Sequence, residues 1–296
     1  MQFMRCLCVG LVTLLVVGFA GIFPASADRP INLVASFSIL GDFARNVGGD
    51  RVSVTTLVGA DGDVHVYTPS PQDAKKIADA KLVIVNGLGL EGWLPRLVQS
   101  SGGKATIVTA SNGVTPRKLE GHADPHAWQS VANAKIYVAN IRNALSTADP
   151  AGAATYRANA EAYLSRLDAL DVEVRRAVAG IPEARRKVIS THDAFGYFAS
   201  AYGIAFIAPQ GVSTEAEPSA GDIAVIITLV RTGKIPAVFL ENISDPRLMR
   251  RISAETGAKI GGTLYSDSLT RENGDAPTYI DMVRHNIKAL TSALAN

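Results

Sequence analysis

The first half of the chain alternates short apolar runs with stretches in which apolar residues recur every three or four positions. This alternation is typical of βαβ units, in which helices cover a parallel sheet. The helix after residue 70 is the best marked, because Ser70 is a favourable N-cap and Pro71 suits the first helical position. The pattern predicts strands at 31–36, 52–57, 81–85 and 106–109, and helices at 71–80 and 132–147.

The second half of the chain repeats this alternation, and no low-complexity tract or short-period repeat interrupts it. A second α/β lobe of similar construction is therefore expected. The pattern predicts strands at 187–191, 204–208, 237–241 and 263–265, and helices at 194–202, 220–232, 246–256 and 279–293.

One long helical pattern, at 151–179, separates the two halves. At about 1.5 Å per residue this helix would be about 40 Å long, which is long for an element inside one lobe. We predict an α/β protein of two lobes, each a mainly parallel β-sheet flanked by helices, joined by one long rigid α-helix. The predicted limits are 28–148 for the N-terminal lobe, 149–180 for the linking helix and 181–296 for the C-terminal lobe.

The chain begins with a targeting pattern. An uninterrupted apolar run at 7–23 follows Arg5 and leads to Ala25-Ser26-Ala27, and such a small-residue triplet is typical of a signal-peptide cleavage site. We predict a signal peptide at 1–27, cleavage after Ala27 and a periplasmic mature protein. An uncleaved membrane anchor is the alternative, although a membrane span needs about 20 apolar residues.

Composition narrows the possible functions. With 47% hydrophobic and 19% charged residues the chain is a packed globular protein rather than a disordered one. Its formal net charge of +2 provides no general attraction to nucleic acid or to an anionic membrane, and we expect a monomer without a nucleic-acid partner. Cys6 and Cys8 lie at the start of the apolar run, within the predicted signal peptide, and leave with it, which excludes disulfides, zinc-thiolate sites and a cysteine nucleophile from the mature chain.

A glycine-rich segment at 87–92 matches the G-x-G-x-x-G pattern of dinucleotide-binding proteins. Such a site needs a helix that starts within the motif and an acidic residue about 20 positions later. Here a helix can start only near Trp93, and the later segment 111–113 has no acid. The segment is interpreted as a turn that leads into a helix.

Three histidines and one aspartate stand where predicted strands end. His65 lies in a loop after a strand, His126 in a turn after a strand, and His192 and Asp267 at strand exits in the second half. In open α/β sheets ligands bind outside the carboxyl ends of the strands. The four residues are far apart in sequence, so the interpretation depends on topology, and four unrelated polar loop residues are the alternative.

Six short segments together carry a resemblance to a known family. They resemble the metal-specific solute-binding proteins of bacterial ABC importers, which take up zinc or manganese, over essentially the whole mature chain. The segments are 63–71 (Asp-Val-His-Val-Tyr-Thr-Pro-Ser-Pro), 86–93 (Asn-Gly-Leu-Gly-Leu-Glu-Gly-Trp), 124–128 (Asp-Pro-His-Ala-Trp), 191–195 (Thr-His-Asp-Ala-Phe), 209–213 (Pro-Gln-Gly-Val-Ser) and 265–269 (Tyr-Ser-Asp-Ser-Leu).

The resemblance implies a transport protein, not an enzyme, that holds a metal ion between its lobes and delivers it to a membrane permease. It implies His65, His126, His192 and Asp267 as the four metal ligands. Three imidazoles and one carboxylate suit a closed four-coordinate zinc(II) site. Manganese(II) is the alternative, because the Asp267 carboxylate could bind it through both oxygens.

The chain departs from the family that it resembles at two places. Val64 stands where relatives usually have proline, and the histidine-rich insertion of many zinc-binding members is absent, so that only His122 and Asp124 remain before the second ligand. We expect His122 to be exposed to solvent, with a possible role in metal capture, and His285 to be structural or exposed.

Several neighbours of the four residues are candidates for supporting roles. Asp63, Asp193 and Glu241 could orient the imidazoles by hydrogen bonds, although a capping or surface role is the alternative for each. Trp93 and Trp128 are expected to pack around the site without touching the metal.

Two other functions compete with metal transport. An exported zinc hydrolase would keep a water molecule on its metal, whereas Asp267 as a fourth protein ligand would close the site. A receptor for an organic ligand, such as a siderophore or a corrinoid, would need aromatic or basic side chains in its cleft rather than three histidines at strand ends.

Overall fold

The computed structural model describes residues 29–119 and 121–295, and the predicted signal peptide at 1–27 lies outside them. Four parallel strands form the sheet of the first lobe, in the order β2-β1-β3-β4. The buried parts of the central strands are apolar except for Ser36, because helices cover both faces of the sheet. The strands are β1 (Ile31–Phe37), β2 (Val52–Val58), β3 (Leu82–Val85) and β4 (Thr106–Thr109).

Four helices accompany this sheet. The second of them begins as predicted, because the Ser70 hydroxyl accepts a hydrogen bond from the Asp73 amide while the Asp73 carboxylate accepts one from the Ser70 amide. A short antiparallel hairpin, β5 (Lys118–Leu119) and β6 (His122–Ala123), precedes the last helix. The helices are α1 (Ser38–Gly48), α2 (Pro71–Ala78), α3 (Leu94–Ser101) and α4 (Val131–Ala148).

The second lobe has the same construction. Its four strands are parallel and lie in the order β10-β9-β7-β8. The strands are β7 (Lys187–Ile189), β8 (Ala205–Ile207), β9 (Ala237–Glu241) and β10 (Lys259–Leu264), and the helices are α6 (Gly196–Tyr202), α7 (Ala220–Gly233), α8 (Arg247–Thr256) and α9 (Tyr279–Leu294).

One long helix, α5 (Ala153–Ala179), connects the lobes. Its buried side chains recur at spacings of three and four residues, so one stripe faces the protein along its whole length. The helix starts slightly later than predicted, because Pro150–Gly152 form a 3₁₀ turn first. The predicted fold class, two α/β lobes joined by a long helix, is confirmed, whereas the domain limits given above stay a prediction.

The lobes also share a hydrophobic core, which the sequence did not indicate. The ring of Phe43, on α1, lies 4.8 Å from the ring of Tyr279, at the start of α9. Beside them, the buried Asp42 carboxylate accepts hydrogen bonds from the Tyr279 amide at 3.0 Å and the Tyr163 hydroxyl at 3.3 Å. Moving one lobe away from the other would expose this apolar surface, which opposes a large hinge motion.

Strand β10 shows where the hydrophobic pattern was misleading. The predicted strand at 263–265 is really longer and starts at Lys259, because Gly261 and Gly262 interrupt the apolar pattern without ending the strand. A bulge lies between Ile260 and Thr263. A side chain at Gly261 would meet the Phe239 ring at 2.5 Å, so close packing requires glycine there.

Among the described residues, no helix is long and apolar enough to cross a membrane.

The shared core predicts that the lobes unfold together. Phe43→Ala removes a fully buried ring at their junction and should lower the free energy of unfolding by about 3–5 kcal/mol. Chemical denaturation followed by circular dichroism should still show one transition. Val172→Ala, at an exposed position of α5, is the control and should change stability by less than about 0.5 kcal/mol. Two separate transitions in the Phe43→Ala protein would contradict a shared core.

Candidate metal centre

The structure brings together all four residues singled out in the sequence. His65 follows β2, His192 follows β7 and Asp267 follows β10, so these three lie at carboxyl ends of parallel strands, as expected. His126 is different, because the strand before it is β6 of the small hairpin and not a strand of the main sheet. The site thus combines loops of both lobes.

The nitrogen and oxygen atoms of these side chains converge. One possible ligand atom from each of the four residues lies within 4.8 Å of all the others. The Asp267 Oδ2 atom lies 3.1 Å from both His65 Nε2 and His192 Nε2, and His126 Nε2 lies 3.3 Å from His65 Nε2. Three imidazole nitrogens and a carboxylate oxygen at this separation can surround one metal ion.

The cluster is almost sealed from solvent. His126, His192 and Asp267 are 0% exposed, and His65 is 8% exposed. His192 Nε2 and Asp267 Oδ1 are buried and have no hydrogen-bond partner among the described residues. Buried polar atoms without partners are costly, and here they belong to side chains that face one common point.

Carboxylates behind two imidazoles fix their orientation. His126 Nδ1 lies 2.9 Å from Asp124 Oδ1, and His192 Nδ1 lies 2.6 Å from Glu241 Oε2. A carboxylate at this position keeps the proton on Nδ1, so that the Nε2 lone pair faces the cluster. Arg117 in turn holds Asp124, with its Nη1 atom 2.5 Å from Asp124 Oδ2.

The expected supporting residues divide into those that contact the site and one that does not. Glu241 orients His192, as described, and Asp63 Oδ1 accepts a hydrogen bond from the His65 backbone amide at 2.8 Å. The Asp193 carboxylate makes no hydrogen bond with an imidazole among the described residues, so the structure does not support an orienting role for it. Asp124 takes that role for His126, although the sequence analysis noted it only as a remnant before the second ligand.

The two tryptophans hold the backbone beside the site. Trp93 Nε1 donates to the Val64 carbonyl at 3.0 Å, next to His65. Trp128 Nε1 donates to the Ser266 carbonyl at 2.9 Å, next to Asp267. Both therefore pack around the cluster, as expected.

The other two histidines lie elsewhere. His122 is exposed on β6, as expected. His285 is half-buried on α9, where its Nε2 atom lies 3.1 Å from the Thr263 carbonyl oxygen, and its role is structural.

Three of the four side chains, His126, His192 and Asp267, shift one another's pKa values. Burial alone would lower the pKa of His192, but the Glu241 and Asp267 carboxylates outweigh it and raise that pKa well above its ordinary value. The pKa of His126 is raised as well, because Asp267 and Asp124 outweigh burial. Burial would raise the pKa of Asp267, yet His126 and His192 hold it well below its ordinary value. Protons on the imidazoles thus balance Asp267, and an entering cation must displace them.

The glycine-rich segment at 87–92 is a turn before α3, as interpreted from the sequence. The Glu91 carboxylate accepts hydrogen bonds from the Asn86 amide at 2.6 Å and the Gly87 amide at 3.1 Å, so the first amide of the segment is already occupied. These contacts favour a structural turn over a phosphate-binding loop, which uses free backbone amides.

Comparison with known proteins identifies the family. The sequence profile of the family described as zinc-uptake complex component A, periplasmic, matches residues 33–293. The chain belongs to this family. It is 38% identical over 266 residues to the manganese-binding lipoprotein MntA of Halalkalibacterium halodurans, covering 90% of this chain and 89% of that one. It is 30% identical over 303 residues to the metal ABC transporter substrate-binding lipoprotein ScbA of Streptococcus cristatus, covering 96% and 98%.

Solved structures give the same family. The periplasmic zinc-binding protein TroA of Treponema pallidum superimposes with a TM-score of 0.87 at 30% sequence identity, covering 90% of this chain and 100% of TroA. This zinc-uptake family member is thus a substrate-binding protein of a metal ABC importer, and not an enzyme. Its substrate is a metal ion, and a membrane permease is its partner.

The contact between Glu241 and His192 predicts a loss of metal affinity in Glu241→Gln. The new amide group would donate a hydrogen bond to His192 Nδ1 and drive the proton onto Nε2, the atom that must face the metal. We expect affinity to fall about 10- to 100-fold, measured by competition with a chromogenic chelator. Asp193→Asn is the matched control, because among the described residues that carboxylate makes no hydrogen bond to an imidazole, and its loss of affinity should be much smaller. Equal losses in both variants would contradict the orienting role of Glu241.

Proposed function

We propose that the protein captures zinc(II) from the periplasm with His65, His126, His192 and Asp267 as its four ligands, and delivers it to its permease. The observation that carries the proposal is the convergence of three imidazole nitrogens and one carboxylate oxygen within 4.8 Å, at a nearly sealed point between the lobes. A closed set of four protein ligands is typical of a site that holds zinc and does not perform chemistry on it. The zinc hydrolase is therefore disfavoured. The organic-ligand receptor is disfavoured because the cluster is too sealed for such a ligand.

The donor set favours zinc over manganese. Imidazole nitrogen suits zinc, whereas manganese prefers oxygen-rich surroundings with more ligands, and general affinity also places zinc above manganese. Relatives are named for both metals, since MntA is a manganese-binding lipoprotein and TroA a zinc-binding protein. The metals bound by these relatives therefore do not decide the choice, and the proposal of zinc depends on the three nitrogens.

Metal choice is tested by competition dialysis. Protein purified without a chelator or an affinity tag is dialysed against equal concentrations of zinc and manganese ions. The metal content of the protein is then measured by mass spectrometry. We expect the wild type to retain zinc. His192→Glu replaces a nitrogen by oxygen and should shift the ratio toward manganese, while Asp267→Ala should weaken both metals. A wild type that retains manganese would overturn the zinc assignment, and one that retains neither metal would overturn the site.

The raised pKa values of His126 and His192 predict a pH dependence of zinc affinity. Zinc binds only the neutral imidazole, so affinity falls as pH drops below the pKa of the metal-free ligand. Because these values lie above the ordinary histidine value of about 6.5, the fall should begin at a higher pH than ordinary histidine ligands would give. Isothermal titration in buffers of different ionisation enthalpy should detect proton release at pH 7. Constant affinity from pH 8 to 6 would contradict the prediction.

Export and assembly complete the proposal. We infer that the chain is cleaved after Ala27 and works as a monomer in the periplasm, with the lobes at 28–148 and 181–296 and the linking helix at 149–180. The pattern at 25–27 supports cleavage, and Cys6 and Cys8 lie at the start of the apolar run, where they cannot carry a lipid on the mature chain. The intact mass of protein recovered from the periplasm tests this, because cleavage after Ala27 leaves Asp28 as the first residue.

A further inference from the structure

The cluster has one side that reaches toward solvent, and that side is His65. Among the four residues, His65 alone is partly exposed. It lies in the wall of two cavities, one of about 640 Å³ with His122 and Val212 in its lining and one of about 360 Å³ with Trp93. Glu215 lines both. A metal ion that enters or leaves along the shortest path therefore passes between His65 and the segment that carries Glu215.

That segment is the loop between β8 and α7, residues 208–219, which we call the bridging loop. Its beginning is fixed to the His192 segment, because His192 and Gln210 form an isolated parallel bridge and the Asp193 amide donates to the Gly211 carbonyl at 3.1 Å. The buried Gln210 side chain then donates to the carbonyls of Thr214 at 3.1 Å and Ala216 at 2.8 Å. The loop thus has a folded shape of its own and is held at the second lobe.

The far end of the bridging loop contacts the first lobe. The Thr214 hydroxyl donates to Asp63 Oδ2 at 2.6 Å. The other oxygen of the same carboxylate accepts the hydrogen bond from the His65 amide. Among the described residues, the Thr214–Asp63 contact is the one hydrogen bond between the bridging loop and the first lobe.

We propose that the bridging loop is the gate of the metal site and that the Thr214–Asp63 hydrogen bond is its latch. When the latch breaks, the loop can swing on its Gln210 anchor and uncover His65, while the shared core keeps the lobes in place. The latch uses no metal-ligand atom, so it holds the closed loop with or without metal. It therefore controls how fast the metal enters and leaves more than how tightly it is held.

Thr214→Val tests this, because valine keeps the shape of threonine and lacks the hydroxyl donor. Zinc release from the wild type and the variant is followed by stopped flow into excess chelator, and zinc uptake by mixing with the free ion. A hydrogen bond of this kind changes an equilibrium by up to about tenfold, so both rates should rise about three- to tenfold. The dissociation constant should stay within about threefold, because Asp63 still holds the His65 amide.

Three further variants make the result specific. Thr214→Ser keeps the hydroxyl and should behave like the wild type, whereas Thr214→Ala removes it and should match Thr214→Val. Thr228→Val, at an exposed position of α7, removes a hydroxyl that bonds only within its own helix and should change neither rate.

The outcomes separate this proposal from the proposed function, on which it rests. A zinc release rate in Thr214→Val equal to that of the wild type overturns the gate. Faster release with an unchanged uptake rate also overturns it, because the Thr214–Asp63 contact would then only stabilise the metal-bound site. A wild type that binds no zinc overturns the proposed function instead. The gate is supported if the wild type binds zinc tightly and if both the uptake and the release rate rise in Thr214→Val and Thr214→Ala but in neither of the other two variants.

Discussion

Asp267 carries a negative charge in a fully buried position, and the arrangement of the site follows from that charge. A buried carboxylate is tolerated only when charges or hydrogen-bond donors surround it, because burial removes its hydration. Here the donors are imidazoles, which the Asp124 and Glu241 carboxylates hold from behind. A divalent cation and the Arg117 guanidinium would together balance the three buried carboxylates. A bound cation would thus take over the charge balance that protons on His126 and His192 provide without it.

The rest of the fold keeps these side chains in place. Each lobe contributes loops from the ends of its parallel strands, and the lobes are locked by the core around Phe43 and Tyr279 as well as by α5. Backbone hydrogen bonds also cross the junction close to the site, such as that from the Asp61 amide to the Leu269 carbonyl at 2.9 Å. Since whole lobes are fastened in this way, access to the metal must come from smaller parts. The bridging loop is such a part, because within the described ranges one side-chain hydrogen bond joins it to the first lobe.

The sequence predicted the elements whose burial pattern is regular, and missed contacts that depend on packing. Helix α5 and strand β3 were predicted well, because one has a continuous buried stripe and the other is buried throughout. The prediction missed the first part of strand β10, because its glycines interrupt the apolar pattern. Gly261 is needed there because the Phe239 ring, which is distant in sequence, packs against it. The four clustered residues were found from strand ends and the family resemblance. Asp124, which holds the His126 ring, was not among the acids proposed to orient an imidazole, because only three-dimensional packing decides which carboxylate reaches a ring.

X-ray absorption at the zinc edge of the zinc-loaded wild type and its Asp267→Ala variant tests the central claim most directly. The account predicts four light-atom neighbours at about 2.0–2.2 Å in the wild type, with the multiple-scattering pattern of three imidazoles. In Asp267→Ala the three imidazoles should persist, and the fourth neighbour should become exchangeable with solvent. A wild-type spectrum with fewer than three imidazoles, or with six oxygen neighbours, would contradict the assignment of His65, His126, His192 and Asp267 as the zinc ligands.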